Sequence, residues 1–192
     1  AAPAFQLATP RSRLATLGRA GVAFIFAPRF DAAFAGLEPE RFVRDILVDG
    51  LGVAHVVAGA DFRFGRGRAG DVAMLGTLGH RAGFGLSVVD TVPGEGVERV
   101  SSTAIRARLG AGDLGGAARL LGGDWLVETV ADAAGGLVLH PALCRPAPGP
   151  CLGRMAEASR QPPRRLWLDA DGRVHAARPL PPAGLMHLMP VS

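Results

Sequence analysis

The sequence predicts an α/β protein, a parallel sheet with crossover helices, followed by a small antiparallel β unit. Two observations predict it. Between residues 10 and 121, apolar runs of strand length alternate with amphipathic runs of helix length, an order that implies right-handed crossovers and parallel strands. From Asp124 the pattern changes to short strand-like runs, "WLVETVADAAGGLVL", "CLGRMAE", "RRLWLDADGRVHAAR" and "GLMHLMPV". Proline-rich connectors, "HPALCRPAPGP" and "RQPPRR", separate them, and the Asp-Gly of "DADGRV" marks a tight hairpin turn. The expected boundary divides the chain into residues 1–123 and 124–192.

The elements follow in order. "PRSRLATLGR", residues 10–19, reads as a short helix leading into "GVAFIFAPRF", whose nearly continuous apolar run predicts a strand buried on both faces. "EPERFVRDILVDGLG" is an amphipathic helix with Phe42, Ile46 and Leu47 on one side, Pro39 near its start and glycines at its end. "AHVVAGADF" is a second buried strand, "GDVAMLGTLGHRAGFG" a helix and "LSVVDTV" a third strand. Residues 103–121 form two short helices with glycines between them.

Composition narrows the chemistry. The 192 residues include 27 Gly and 15 Pro but no Lys, Asn or Tyr. Every strong cation is therefore Arg, so phosphate contacts would be forked and planar. A net charge of +4 and a pI of 10.7 suit an anionic ligand, and equally an Arg-for-Lys bias. Cys144 and Cys151 lie in a Pro/Gly-rich stretch without metal-ligand spacing. Reduced thiols in a cytoplasmic protein are expected, a loop disulfide being the alternative. "GVAFIFA" is too short to span a bilayer, and the first residues lack a charged segment followed by a long apolar core. No membrane association is expected.

Two segments carry chemistry. In "RVSSTAIRARLGAGD", residues 99–113, Ile105 and Leu109 share a face and Gly110 and Gly112 close a helix spanning residues 103–109. Arg106 then lies near a helix N-terminus, where a cation is disfavoured by about 0.3–1 kcal/mol. Free backbone N–H groups, the hydroxyls of Ser101, Ser102 and Thr103 and the Arg106 guanidinium would together cradle a phosphate. The competing reading makes Ser101 or Ser102 an N-cap and sends Arg106 into solvent.

In "GADFRFGRGRAGD", directly after the second strand, Phe62 and Phe64 offer an aromatic wall and Asp61 a hydrogen-bond acceptor, while Arg63, Arg66 and Arg68 supply positive charge. Glycines at 59, 65, 67 and 70 allow close backbone approach to a flat, anionic ligand. The competing reading is an arginine-rich surface turn whose phenylalanines plug the core. Parallel sheets bind ligands at the carboxyl ends of their strands, where both segments are expected. An RNA-binding reading of the Phe-x-Phe-Gly run would need a central antiparallel strand and a second aromatic strand, and neither is present in the pattern. No nucleic-acid partner is expected.

"VVAGADFRFGRGRAGDVAML" followed by "ERVSSTAIRARLGAGDLGGAARLLGGDW" resembles the bacterial FAD synthetase module, the FMN adenylyltransferase half of bifunctional riboflavin kinase/FAD synthetases. The similarity reaches back through "RFDAAFAGLEPERFVRDIL" to about Thr9, and the motifs stand in the family's order and separation. The resemblance implies a Rossmann-like nucleotidyltransferase sheet and the transfer of AMP from ATP to FMN, giving FAD and pyrophosphate with Mg²⁺. It implies that Ser101, Ser102, Thr103 and Arg106 bind ATP phosphates, with Arg106 the principal catalytic residue. It further implies that Asp61, Phe62, Arg63, Phe64 and Gly65 hold the flavin. No metal-ligand residues are assigned.

Two departures accompany the resemblance. The family's first strand, its Gly-Asn-Phe-Asp-Gly-like turn and its His-x-Gly-His motif have no counterpart, since none of His55, His80, His140, His175 or His187 has a partner at that spacing. A sheet without those strands would be a fragment, a repacked sheet or one completed by a partner, and its open edges invite homo-oligomers. Residues 124–192 occupy the riboflavin kinase position but lack its Pro-Thr-Ala-Asn signature, with "PGPCLGR" at most a remnant of a glycine-rich loop. A degenerate barrel is expected there. The alternative function is a catalytically inactive flavin- or nucleotide-binding regulator or subunit; a dimerisation scaffold without ligand affinity is a third reading.

Overall fold

The computed structural model describes residues 5–90, 100–158, 160–180 and 182–191. In chain order the elements are α1 (Pro10–Arg19), α2 (Ala32–Ala35), α3 (Pro39–Arg41) running into a π-helical stretch (Phe42–Val48), β1 (His55–Gly59), α4 (Val72–Ala82), β2 (Gly85–Val89), α5 (Ser102–Gly110) and α6 (Leu114–Leu121). Six strands follow: β3 (Trp125–Ala131), β4 (Leu137–Leu139), β5 (Gly149–Met155), β6 (Arg164–Leu168), β7 (Val174–His175) and β8 (Leu185–Met189). They pack as two compact units, one made of Ala1–Ile25 with Glu98–Ser192 and the other of Phe26–Val97. Among the described residues no helix is long and apolar enough to cross a membrane.

The unit Phe26–Val97 holds the parallel pair. β1 and β2 run in register from His55↔Gly85 to Gly59↔Val89. Alternation along the strands turns Val56, Ala58 and Leu86 toward a small core of Val43, Phe64, Leu75 and Phe84. The opposite face stays open, with Val57 66% exposed. β1 is therefore half-buried rather than buried on both sides, because among the described residues this sheet has two strands and one covered face. The third predicted strand forms as far as Val89, and residues 91 and 92 lie outside the described residues.

The predicted strand "GVAFIFAPRF" does not form. Residues 22–30 have no regular hydrogen-bonded structure, and Phe24 and Phe30 are 73% and 78% exposed. A strand exists only through a neighbour's ladder, and no described segment pairs with this one. The helix predicted over "EPERFVRDILVDGLG" does form, but its second half is π-helical, with Asp49 N–H donating to the Arg44 carbonyl and Leu51 N–H to that of Ile46. Val43 becomes its most buried residue, and Phe42, Leu47 and Val48 pack around it.

The other unit is built on an antiparallel sheet of order β4-β3-β8-β5-β6-β7. Val138 bridges Arg173, and Leu139 N–H donates to the Gly172 carbonyl at 2.8 Å, so the two end strands meet and the sheet closes into a ring. Alternate residues fill the interior: Trp125 and Val127 from β3, Cys151 from β5, Leu166 and Leu168 from β6, Met186 and Leu188 from β8. Ile105 and Leu109 of α5 and Leu114 and Ala117 of α6 join the same core. Burial of these four side chains ties both helices to the barrel's core. α1 lies on β3, its start fixed by a reciprocal capping box between the buried Thr9 and Ser12.

Candidate functional site

At α5 the geometry starts from Ser101. Its extended backbone precedes the helix and its hydroxyl accepts the Ala104 N–H at 3.1 Å, an N-cap bond. Ser102 and Thr103 follow with exposed side chains. The helix runs one residue beyond the predicted span at each end, with Ile105 and Leu109 buried as their spacing requires. Arg106 does not reach freely into solvent. Its Nε–H donates to the Phe5 carbonyl at 2.9 Å, and its guanidinium carbon sits 3.7 Å from the centroid of the Phe5 ring. Among the described residues no carboxylate lies within ion-pair distance of it. The charge is felt nearby: burial pushes the Cys144 thiol up, and Arg106 is the first of the influences that oppose this.

Phe5 was not legible as a site residue. It is held by long-range bonds, Phe5 and Gln6 both donating their N–H to the Ala142 carbonyl at 3.1 and 2.9 Å, and Cys144 N–H donating back to the Gln6 carbonyl at 2.8 Å. The Trp125 indole N–H donates to the Leu7 carbonyl at 2.8 Å. Further along α5, Arg108 pairs with Asp113 at 3.0 Å. The Asp113 carboxyl is held below its usual range, first by the Gly116 N–H and then by Arg108.

The second segment begins where β1 ends. Phe62 N–H donates to the Gly59 carbonyl at 3.0 Å, placing Asp61 exposed in a tight turn. The Phe62 and Phe64 rings stack with centroids 5.6 Å apart. Phe64 is 6% exposed and packs on Phe42 at 5.5 Å, while half-buried Phe62 keeps part of its ring accessible. Phe64 and Gly70 exchange backbone hydrogen bonds, and a Cβ at Gly70 would lie 2.7 Å from the Phe64 ring. At Gly65 φ is +72°, and a Cβ there would lie 2.7 Å from Pro39. The turn thus demands glycine for its own packing.

Two of the three loop arginines are already partnered. Arg63 meets Asp71 at 3.4 Å and Arg66 meets Glu38 at 2.5 Å. Asp71 also caps α4 by accepting the Met74 N–H at 2.9 Å. Glu38, Pro39 and Asp71 are the residues here that sequence reasoning missed, and only the helix-start pattern at Pro39 hinted at any of them. Asp61, Phe62, Arg63, Phe64 and Gly65 belong to one compact unit, and Ser101, Ser102, Thr103 and Arg106 to the other. Among the described residues no group of three or more His, Cys, Asp or Glu side chains could hold a metal ion.

The sequence model of the FAD synthetase family matches residues 1–104. The chain is 41% identical over 127 residues to a bifunctional riboflavin kinase/FMN adenylyltransferase of Escherichia coli K12, covering 66% of this chain and 40% of that one. It is 38% identical over 176 residues to the enzyme of the same description from Pseudomonas fluorescens, covering 90% and 53%. A Listeria monocytogenes FAD synthetase is 32% identical over 128 residues, covering 66% and 51%. The chain thus spans between two-fifths and about half of the length of these relatives. The crystal structure of a macrolide-efflux protein from Streptococcus pneumoniae superposes with a TM-score of 0.73 at 22% identity, covering 96% of this chain and 66% of that one, a likeness of fold alone. The match over more than half of the residues, including the Asp61–Gly65 segment and the start of α5, places this chain in the FAD synthetase family.

Proposed function

We propose that this chain carries FMN adenylyltransferase chemistry, the transfer of AMP from ATP to FMN. An FMN phosphate oxygen attacks the α-phosphorus of ATP; the new P–O bond forms FAD as the bond to the β-phosphate breaks, and pyrophosphate leaves with that electron pair. Positioning and charge neutralisation do most of the work in such transfers. Ser101, Ser102 and Thr103 present hydroxyl and helix N-terminal N–H groups to the ATP phosphates, and Arg106 neutralises charge that accumulates on them. Asp61, Phe62, Arg63, Phe64 and Gly65 hold the flavin, Phe62 offering a ring face and Asp61 an acceptor. Mg²⁺ would enter on the ATP phosphates, as it commonly does, rather than in a cage of protein carboxylates. Residues 1–123 carry this chemistry, and 124–192 form a degenerate barrel in the riboflavin kinase position.

One observation carries the reading. Arg106 stands at the middle of α5, and its partners are a carbonyl and a ring, neither of which cancels its charge. An anionic ligand would supply the missing countercharge. The test is chromatographic detection of FAD formed from FMN, ATP and Mg²⁺, with Arg106→Ala beside the parent chain. FAD formation that the substitution abolishes supports the reading; equal rates from both chains overturn the role of Arg106.

A further inference from the structure

We propose that Phe5 is a positioning residue for Arg106, and that the barrel acts on nucleotide binding through it. The inference rests on the assignment of Arg106 to the ATP phosphates. A guanidinium has five N–H donors in a planar fork. Phe5 fixes two features of that plane at once, the carbonyl taking the Nε–H at 2.9 Å and the ring lying 3.7 Å from the guanidinium carbon. The donors left over are those on Nη1 and Nη2, the edge that meets a phosphate in a forked contact.

Both partners are neutral. A carboxylate in the same place would order the side chain equally well but would compete with the phosphate for its charge. A carbonyl and a ring order it without competing, so part of the side-chain entropy lost on binding is lost beforehand. Phe5 can do this because it is not a loose end. Residues 5–7 are fastened to the Ala142 carbonyl, the Cys144 N–H and the Trp125 indole N–H. Ala142 and Cys144 lie just beyond β4, and Trp125 starts β3. The position of Arg106 is therefore set by the closed sheet as well as by α5, which gives residues 124–192 a task although they lack the kinase signature.

The experiment compares Phe5→Ala, Phe5→Trp and Arg106→Ala with the parent chain. KM values for ATP and FMN are measured, together with the ¹⁵N-correlated resonance of the Arg106 Nε–H in the nucleotide-free protein. Phe5→Ala keeps the main-chain carbonyl that accepts the Nε–H and removes the ring; it should raise the KM for ATP about two- to fivefold, the scale of a lost cation–π contact at an exposed site. It should leave the KM for FMN within about twofold, since the flavin residues are not touched. The Nε–H resonance, displaced by the ring current of Phe5 in the parent, should move toward the random-coil position. Phe5→Trp should restore both. Phe5 is 58% exposed, so its truncation leaves the core intact. An unchanged KM for ATP in Phe5→Ala, with Arg106→Ala impaired, overturns the positioning role alone, as does failure of Phe5→Trp to rescue. An unimpaired Arg106→Ala overturns the phosphate assignment itself.

Discussion

The loop after β1 and helix α5 both carry arginines, yet they treat the charge in opposite ways. In the loop, Arg63 and Arg66 are met by Asp71 and Glu38, carboxylates of the same unit. At α5, Arg106 is met by a carbonyl and an aromatic face. The first arrangement consumes positive charge and uses it to fasten a turn; the second orders a guanidinium without cancelling its charge. Arginine content does not distinguish the two segments. The chemistry of the partner does.

The largest expected effect tests that distinction directly. Arg106→Ala should lower kcat/KM for FAD formation by at least about 100-fold, the scale of removing one preorganised charge-stabilising donor. Arg66→Ala, whose pair is exposed and worth about 0–1 kcal/mol, should stay within about threefold. Comparable losses in the two variants would mean that the neutrality of the partners marks nothing.

Stability should divide the regions next. Gly65→Ala forces a Cβ against Pro39 at 2.7 Å on a backbone with φ of +72°, and thermal or urea unfolding should report a loss of about 2–3 kcal/mol. Gly110→Ala, at the end of α5 with nothing within 4 Å of the added Cβ, should be neutral or gain up to about 1 kcal/mol. The loop is closed to side chains at that point and the helix is open to them.

At Ser101, capping and ligand binding can be separated. Ser101→Ala removes the bond to the Ala104 N–H and should cost about 1 kcal/mol of stability. Ser101→Asp keeps a cap acceptor but adds a negative charge where phosphate is proposed to bind. Its unfolding midpoint should match the parent while its ATP affinity falls about tenfold or more. Unchanged affinity in that variant would confine Ser101 to capping.

The smallest effect concerns the barrel. Burial first, and the neighbouring Arg19 second, hold His187 below its usual titration range; Arg154 adds to this and Asp124 opposes it. As pH falls below about 6.5 the unfolded chain takes up a proton before the folded one. Stability from this residue is therefore complete above that pH and declines as pH drops toward the folded-state value. Urea midpoints between pH 8 and 5 should show the decline in the parent and a shallower one in His187→Gln.

Local signals made much of this legible. Ser101 and Asp113 cap α5 and α6 through their own side chains, and the alternation in residues 125–189 yields the six antiparallel strands. What depended on distant partners was hidden. The run at residues 21–30 has strand composition, but strandhood also needs a neighbour, and among the described residues it has none. Helical periodicity at residues 42–48 is nearly the same for α and π hydrogen bonding, so the wider turn left no mark. Phe62 and Phe64 look alike in sequence, and only packing against Phe42 and Gly70 assigns Phe64 to the core. Phe5 meets Arg106 across 101 positions, a separation that no local pattern encodes.

Strand β8 lies between β3 and β5, pairing Trp125 with Leu188 and Gly153 with Leu188 from its two sides. The last-made of the eight strands among the described residues is thus paired along both of its sides. On a ribosome, β3 and β5 emerge with their shared neighbour still unsynthesised, and the ring cannot close until residues 185–189 are free. Contacts of such long sequence separation form slowly. Because Ile105 and Leu109 lie in the same core, α5 gains its final seat only at that late moment. The nucleotide binding proposed for α5 should therefore lag behind translation by the time the last strand takes to insert.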